Sequence, residues 1–177
     1  MKRVEVAKLF ETPEQFIGNN LTVCGWAKTL RVSKGISFIE LNDGSCFRNL
    51  QVVAEENMPG YAEATRQNNG CALAVEGVLV ATPDGKQPFE LKATGIMVEG
   101  TSSPDYPLQK KRHSLEFLRT MPHLRPRTNT LGAVYRLRSV VSYAIHKFFT
   151  ENGFIYTHSP LITGSDCEGA GEMFRVT

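Results

Sequence analysis

The chain has 177 residues, of which 41% are hydrophobic and 21% charged, and its formal net charge is only +2. This composition excludes a disordered or low-complexity protein, and the length fits one large or two small domains. No apolar run approaches the ~20 residues of a membrane-spanning helix, and the amino terminus carries mixed charge unlike a signal peptide, so we expect a cytoplasmic protein.

The first hundred residues predict a small β barrel. Residues 4–17 are expected to form helix and turn, and strands are predicted at 21–30, 36–42, 49–55, 71–81 and 89–98. Turn signals at 42–45 and 83–86 separate strands, and a helix opening at Pro59 is predicted over 59–67. Five short strands with a helix between the third and fourth are typical of the OB fold, which we assign to residues 1–100.

Phe38 and Gln51 are the candidate binding residues of this barrel. OB barrels commonly bind single-stranded nucleic acid by stacking bases on aromatic rings beside polar side chains. Phe38 on the second strand and Gln51 on the third are placed to lie side by side on such a face. From the pattern alone, a core position for Phe38 and a merely solvent-facing Gln51 are the more common arrangements.

Basic residues are concentrated between positions 109 and 138, where Glu116 is the single acid. Such a cluster can neutralise phosphates by releasing counterions, and a solvated linker with ion-paired arginines is the alternative. The basic residues are Lys110, Lys111, Arg112, Arg119, Arg125, Arg127, Arg136 and Arg138.

The cysteines and histidines have no ligand spacing, since no Cys-x-x-Cys pair or similar motif occurs. We therefore expect no metal held by these side chains. The residues concerned are Cys24, Cys46, Cys71, Cys167, His113, His123, His146 and His158.

Residues 131–152 predict a long amphipathic helix. Its apolar stripe comprises Val134, Leu137, Val141, Ala144 or Ile145, and Phe148. Gly153 is placed for a left-handed stop, and a short apolar strand and Pro160 are expected to follow. Without further context, an ordinary core helix followed by a loop proline fits as well.

Motifs in both halves of the chain carry a family resemblance. The segments 21–26 (LTVCGW), 35–41 (GISFIEL) and 50–53 (LQVV) look like the anticodon-binding barrel of aspartyl, asparaginyl and lysyl-tRNA synthetases. The order of Arg138 in a helix, Gly153, a strand and Pro160 is similar to motif 1 of the class II synthetases. The segments 111–119 (KRHSLEFLR), 123–129 (HLRPRTN) and 165–174 (SDCEGAGEMF) narrow the resemblance to the bacterial asparaginyl-tRNA synthetases, over essentially the whole chain.

The resemblance implies a role for three barrel residues in binding tRNA. Phe38 is expected to stack on a base of the anticodon loop, Gln51 to help read an anticodon base, and Glu90 on the fifth strand to face the anticodon. Residues 101–130 would form a hinge, where Arg125 and Arg127 contact phosphates of the tRNA backbone.

The resemblance also implies that residues 131–177 begin an α+β class II catalytic domain that is incomplete here. The helix, with Arg138, and Pro160 would form part of a homodimer interface. Glu168 is expected to accept hydrogen bonds from the α-ammonium group of bound asparagine, with Asp166 and Glu172 as alternatives.

The implied activity is the ATP- and Mg²⁺-dependent attachment of asparagine to its tRNA, without DNA or membrane partners. The arginines that stabilise the reacting phosphates belong to motifs expected beyond Thr177. We therefore assign no catalytic residue and expect these 177 residues alone to be inactive. A stand-alone OB-fold RNA-binding module and an aspartyl-type tRNA ligase remain alternatives, since the residues that separate asparagine from aspartate are expected downstream.

Overall fold

The computed structural model describes residues 3–85, 87–160, 162 and 164. The chain divides into two compact units, one up to Asn129 and one from Thr130 onward. The elements in chain order are α1 (Val6–Glu11), a 3-10 turn (Pro13–Gln15), β1 (Asn20–Ser33), β2 (Ile36–Asn42), β3 (Leu50–Glu55), α2 (Tyr61–Ala64), β4 (Ala72–Ala81), β5 (Phe89–Gly100), α3 (Leu115–Arg119), a second 3-10 turn (Arg125–Arg127) and α4 (Asn129–Glu151).

The five strands close into a barrel with the order β1-β2-β3-β5-β4. Neighbouring strands are antiparallel except β3 and β5, which run parallel. A register shift between Ala27 and Thr29 in β1 marks a bulge, and a bulge bends a strand as barrel closure requires. The closed five-stranded barrel, with α2 between β3 and β4, confirms the predicted OB fold.

Alternating burial packs one face of each strand into the barrel. On β3, Leu50, Val52 and Ala54 are buried while the residues between them face outward. Helix α1 adds Val6 and Leu9 to the same core. Its first backbone N–H groups are satisfied by the loop after β2, because Val6 N–H donates to the Asp43 carboxylate at 2.9 Å and Ala7 N–H to Ser45 Oγ at 2.9 Å.

Helix α2 is shorter than the helix predicted over 59–67. Gly60 has a φ of +80°, a left-handed conformation that ends the preceding turn, so the helix begins only at Tyr61. A Cβ atom at Gly60 would lie 1.7 Å from the Ile96 carbonyl oxygen. The backbone of β5 therefore passes directly over this turn and requires glycine there.

Residues 101–129 pack against the barrel within the first unit. The Ser102 hydroxyl donates to the Asn69 carbonyl at 2.8 Å, and Asn68 Nδ2 donates to the Ser102 carbonyl at 3.1 Å. The ring of Tyr106 lies against Gly70, where a Cβ atom would be 2.9 Å from the ring. Leu118 on α3 is buried, so the segment has apolar anchors of its own.

The second unit consists mainly of α4, whose C-terminal end is closed by a Schellman motif. Gly153 has a φ of +84°, its N–H donates to the Thr150 carbonyl, and Phe154 N–H donates to the Phe149 carbonyl. The rings of Phe149 and Phe154 pack edge to face with centroids 5.3 Å apart. The predicted left-handed stop at Gly153 is confirmed.

The strand predicted after Gly153 is wrong for the described residues. Residues 154–160 are irregular, because a strand needs a paired edge and this segment instead folds back on the helix. The Tyr156 ring packs against His146 with centroids 5.0 Å apart, and its hydroxyl lies 3.2 Å from His158 Nδ1. Across the described ranges, no helix combines the length and apolar character needed to cross a membrane.

Candidate nucleic-acid interface

Three outward-facing residues of β2, β3 and β5 lie close together on the barrel surface. Phe38, Gln51 and Glu90 each alternate with buried neighbours and therefore face away from the core. The parallel register of β3 and β5 places Gln51 beside Glu90. The antiparallel register of β2 and β3 pairs Glu40 with Gln51, which puts Phe38 on the diagonal, about 7 to 8 Å away.

The three residues line one open groove of about 380 Å³. Phe38 is half-buried on the outer surface, so the alternative of a core position for its ring is excluded. Gln51 and Glu90 are also half-buried. The full lining is Arg31, Phe38, Gln51, Thr82, Gly85, Gln87, Phe89 and Glu90.

Arg31 is a groove residue that the sequence reasoning missed. The predicted first strand stopped at Leu30, whereas β1 continues to Ser33 and pairs Arg31 directly with Phe38. Arg31 Nη2 lies 3.8 Å from Glu40 Oε1, and the arginine side chain remains 60% exposed. The pairing that extends this strand beyond Leu30 leaves no signal in the local sequence pattern.

Gln87 is a second missed groove residue. Its side-chain oxygen accepts a hydrogen bond from Gln51 N–H at 3.3 Å, and its backbone carbonyl accepts one from the Thr82 hydroxyl at 2.7 Å. The turn before β5 is closed by Gly85 N–H donating to the Thr82 carbonyl at 2.9 Å. Gln87 directly follows the predicted turn at 83–86, but no sequence pattern indicated that its side chain would line the groove.

The groove offers the groups that single-stranded RNA requires. Phe38 presents a ring for stacking, and Gln51 and Gln87 present amides that pair with base edges. The Glu90 carboxylate is a hydrogen-bond acceptor suited to base amino groups, and the Arg31 guanidinium is a donor suited to a phosphate or a base. The combination suits one or two unstacked nucleotides better than a double helix.

The predicted backbone contacts Arg125 and Arg127 lie in the second 3-10 turn, and Arg127 packs on the barrel. The Arg127 guanidinium lies over the Trp26 ring, 4.7 Å from its centroid. Lys28 Nζ donates a hydrogen bond to the Arg127 backbone carbonyl. Burial, and next the Arg127 charge, lowers the pKa of Lys28 below its ordinary value. Arg125 is half-buried and makes contacts of its own.

The remaining predicted site residues lie in the second unit or outside the described part. Arg138 on α4 and Pro160 are both exposed, and they are 22 positions apart in sequence. Glu168, with its alternatives Asp166 and Glu172, lies outside the described residues.

The barrel matches a known domain family, and the whole chain is similar to known proteins. Residues 21–99 match the family model of the OB-fold nucleic acid binding domain. The chain is 58% identical to the asparagine–tRNA ligase of Acetivibrio thermocellus and 55% identical to that of Clostridium tetani, over its whole length in both cases. It spans only 38% of the length of each of these relatives.

A solved structure shows the same fold. The asparaginyl-tRNA synthetase from Pyrococcus horikoshii, complexed with asparaginyl-adenylate, matches 96% of this chain with 39% of its own, at a TM-score of 0.81 and 19% identity. The chain is a homologue of the asparagine–tRNA ligases and corresponds to their N-terminal part, so the resemblance drawn from the motifs is confirmed.

Proposed function

We propose that this chain is the tRNA-binding portion of an asparagine–tRNA ligase and that its groove binds the anticodon loop. The observation that carries the proposal is that Phe38, Gln51 and Glu90, distant in sequence, line one groove. The identity to asparagine–tRNA ligases over the whole chain supports asparagine rather than another amino acid.

Within this proposal, each groove residue has a separate task. Phe38 stacks on an anticodon-loop base, Gln51 reads the edge of an anticodon base through its amide, and Glu90 accepts hydrogen bonds from a second base. Arg125 and Arg127 bind backbone phosphates, which position the tRNA without reading its sequence.

Replacing Phe38 by Ala tests the groove directly. Loss of one stacked base costs about 1 to 3 kcal/mol, so the affinity for the asparagine tRNA should fall roughly 5- to 150-fold in a filter-binding assay. The barrel should stay folded, because the ring lies on the outer surface. Phe47→Ala is the matched control, since that ring is 53% exposed and outside the groove lining.

The cognate anticodon supplies the second arm of this test. A tRNA whose anticodon bases are replaced should bind the parent chain more weakly and should lose most of its sensitivity to Phe38→Ala. Equal affinity of the parent chain for both tRNAs, or equal losses from Phe38→Ala and Phe47→Ala, would remove the groove from anticodon binding.

We extend this proposal to a longer protein, because the asparagine–tRNA ligases that the chain matches are longer than the chain. Residues 101–130 would act as the hinge and 131–177 as the start of the class II catalytic domain, with Glu168 facing the α-ammonium group of asparagine. Arg138 and Pro160 would contribute to a homodimer interface, supported by the exposed apolar residues of α4. ATP and Mg²⁺ would drive the reaction in the cytoplasm, where tRNA is charged.

A charging assay tests this larger proposal. Protein extended by the downstream reading frame should attach asparagine to its tRNA when ATP and Mg²⁺ are supplied, and should not attach aspartate. The 177-residue chain alone should give no asparagine-dependent exchange between ATP and pyrophosphate. Charging of aspartate by the extended protein would favour the aspartyl-type alternative.

A further inference from the structure

We propose that Trp26, Lys28 and Arg127 form a phosphate-binding site for the RNA backbone, in which Trp26 positions the Arg127 guanidinium. We refer to these three residues as the Trp26 cluster. The inference rests on the proposed tRNA-binding function and adds to it a contact surface outside the anticodon groove, together with the residues that build it.

The Trp26 cluster lies at a different part of the barrel from the groove. Trp26 pairs with Asn42 at one end of the β1–β2 ladder, whereas the groove residue Arg31 pairs with Phe38 toward the other end. None of the three residues lines the groove. A nucleic acid that fills the groove and also reaches the cluster must therefore extend along the outside of β1.

Two cations are held together in this cluster without a compensating acid. Lys28 Nζ binds the Arg127 carbonyl, and the Arg127 charge is one of the causes that lower the pKa of Lys28. Among the residues that the structure describes, no carboxylate lies within ion-pair distance of either cation. The two like charges repel each other, so an anion that binds both would relieve an unfavourable interaction already present in the fold.

The aromatic ring holds the guanidinium in an orientation that suits a phosphate. Trp26 is 41% exposed, and the guanidinium lies 4.7 Å from its ring centroid. A guanidinium that stacks through its planar face keeps its N–H donors at the edge, where they fit two oxygens of one phosphate. The ring thus reduces the conformational freedom of Arg127 and leaves its donors available.

Backbone phosphates of RNA are the anion that best fits these groups. The cluster has two cations, and a neighbouring basic segment continues through Arg125. Phosphate contacts of this kind add affinity in a salt-dependent way and carry no sequence information.

The test is the salt dependence of binding between the full 177-residue chain and a transcript of the asparagine tRNA, measured over a series of KCl concentrations. Arg127→Gln and Lys28→Met should each reduce the slope of log affinity against log salt by about one, as expected for one lost phosphate contact. Arg66→Gln is the control, because Arg66 is an exposed arginine outside the cluster and should leave the slope unchanged.

Variants of the ring separate positioning from folding. Trp26→Leu retains both charges but should weaken binding about two- to fivefold, the loss expected for an exposed cation–π contact. Trp26→Phe should restore most of this affinity. Arg127→Lys keeps the charge and should still bind more weakly than the parent, because an ammonium group lacks the planar fork. Thermal unfolding of each variant checks that the barrel is intact.

The outcomes distinguish this inference from the proposed function. Unchanged slopes for Arg127→Gln and Lys28→Met, with a clear loss for Phe38→Ala, would overturn the phosphate site and leave the anticodon groove standing. An equal reduction by Arg66→Gln would also overturn the site, because a diffuse positive field would then explain all three. A chain that binds no tRNA at low salt would remove both proposals.

Discussion

The two units of the chain handle their apolar residues in opposite ways. In the barrel, large side chains such as Leu41, Val52 and Phe89 are fully or almost fully buried, and strand pairing satisfies the backbone. In α4, which is described throughout, no residue is buried, and apolar side chains such as Leu137 remain well exposed. The barrel therefore buries a core of its own, whereas the apolar side chains of α4 remain exposed.

This difference shows which unit can be stabilised by its own core. Burial of apolar surface is the dominant favourable term in folding, so a barrel with a complete core can fold from its own contacts. A helix with an exposed apolar stripe has mainly its backbone hydrogen bonds and local contacts, which leave isolated helices marginal in water. Exposed apolar surface of this kind is typical of an interface.

Two glycines with left-handed backbones give the sharpest contrast between the units. Gly60→Ala should prevent folding of the barrel or cost more than about 4 kcal/mol, because the new Cβ atom meets the Ile96 carbonyl, a backbone group of β5. Gly153→Ala adds a Cβ atom with nothing within 4 Å, so only the left-handed strain of about 1 to 2 kcal/mol remains.

Thermal unfolding followed by circular dichroism measures the first effect, and hydrogen exchange at the end of α4 measures the second. The barrel transition should be unchanged in Gly153→Ala. A Gly60→Ala variant that unfolds at the temperature of the parent would show that β5 can move away from the turn.

Two leucines test the same contrast through side-chain burial. Leu41→Ala removes a fully buried side chain and should cost about 2 to 5 kcal/mol in denaturant unfolding of the barrel. Leu137 is 64% exposed, so Leu137→Ala should change stability by less than about 0.5 kcal/mol in the monomeric chain.

Protein concentration sharpens this comparison, since an exposed stripe becomes buried only on association. Leu137→Ala should lower the tendency of the chain to self-associate in sedimentation experiments, while Leu41→Ala should act at all concentrations. A loss of several kcal/mol from Leu137→Ala in dilute solution would mean that the stripe is already covered within one chain.

Local patterns predicted the parts of the fold that depend on neighbouring residues. Strand β2 has its predicted bounds, and the left-handed stop at Gly153 follows from glycine chemistry alone. The outward positions of Phe38 and Gln51 agree with the alternation along their strands, although the pattern alone favoured a core position for the Phe38 ring. Each of these features is determined within a few residues of sequence.

The missed features depend on contacts between distant segments. Lys28 and Arg127 are 99 residues apart, and no local pattern indicates that they meet beside Trp26. The helix predicted from Pro59 is shortened because β5 passes over Gly60, and the strand predicted after Gly153 has no edge with which to pair. Arg31 was missed for the same reason, since its strand is extended by pairing with β2.

A modest effect is expected at the shortest strand pairing of the barrel. β3 and β5 pair in register only through Val52–Leu91 and Val53–Lys92, and the bond from Gln51 N–H to the Gln87 side chain continues the link toward the groove. Gln87→Ala removes this bond and should cost about 0.5 to 1.5 kcal/mol, the usual net value of one hydrogen bond.

Gln51 and Glu90 lie on the two sides of this strand pairing. We therefore expect Gln87→Ala to lower the affinity for tRNA a few-fold, in addition to its effect on the free energy of unfolding. Gln67→Ala is the matched control, since the Gln67 amide donates to the Glu63 carbonyl within its own turn, at 3.3 Å. Filter binding and thermal unfolding of both variants measure the two effects. Equal binding by Gln87→Ala and the parent would mean that the groove keeps its shape through the strand ladder alone, and that the turn before β5 contributes nothing to it.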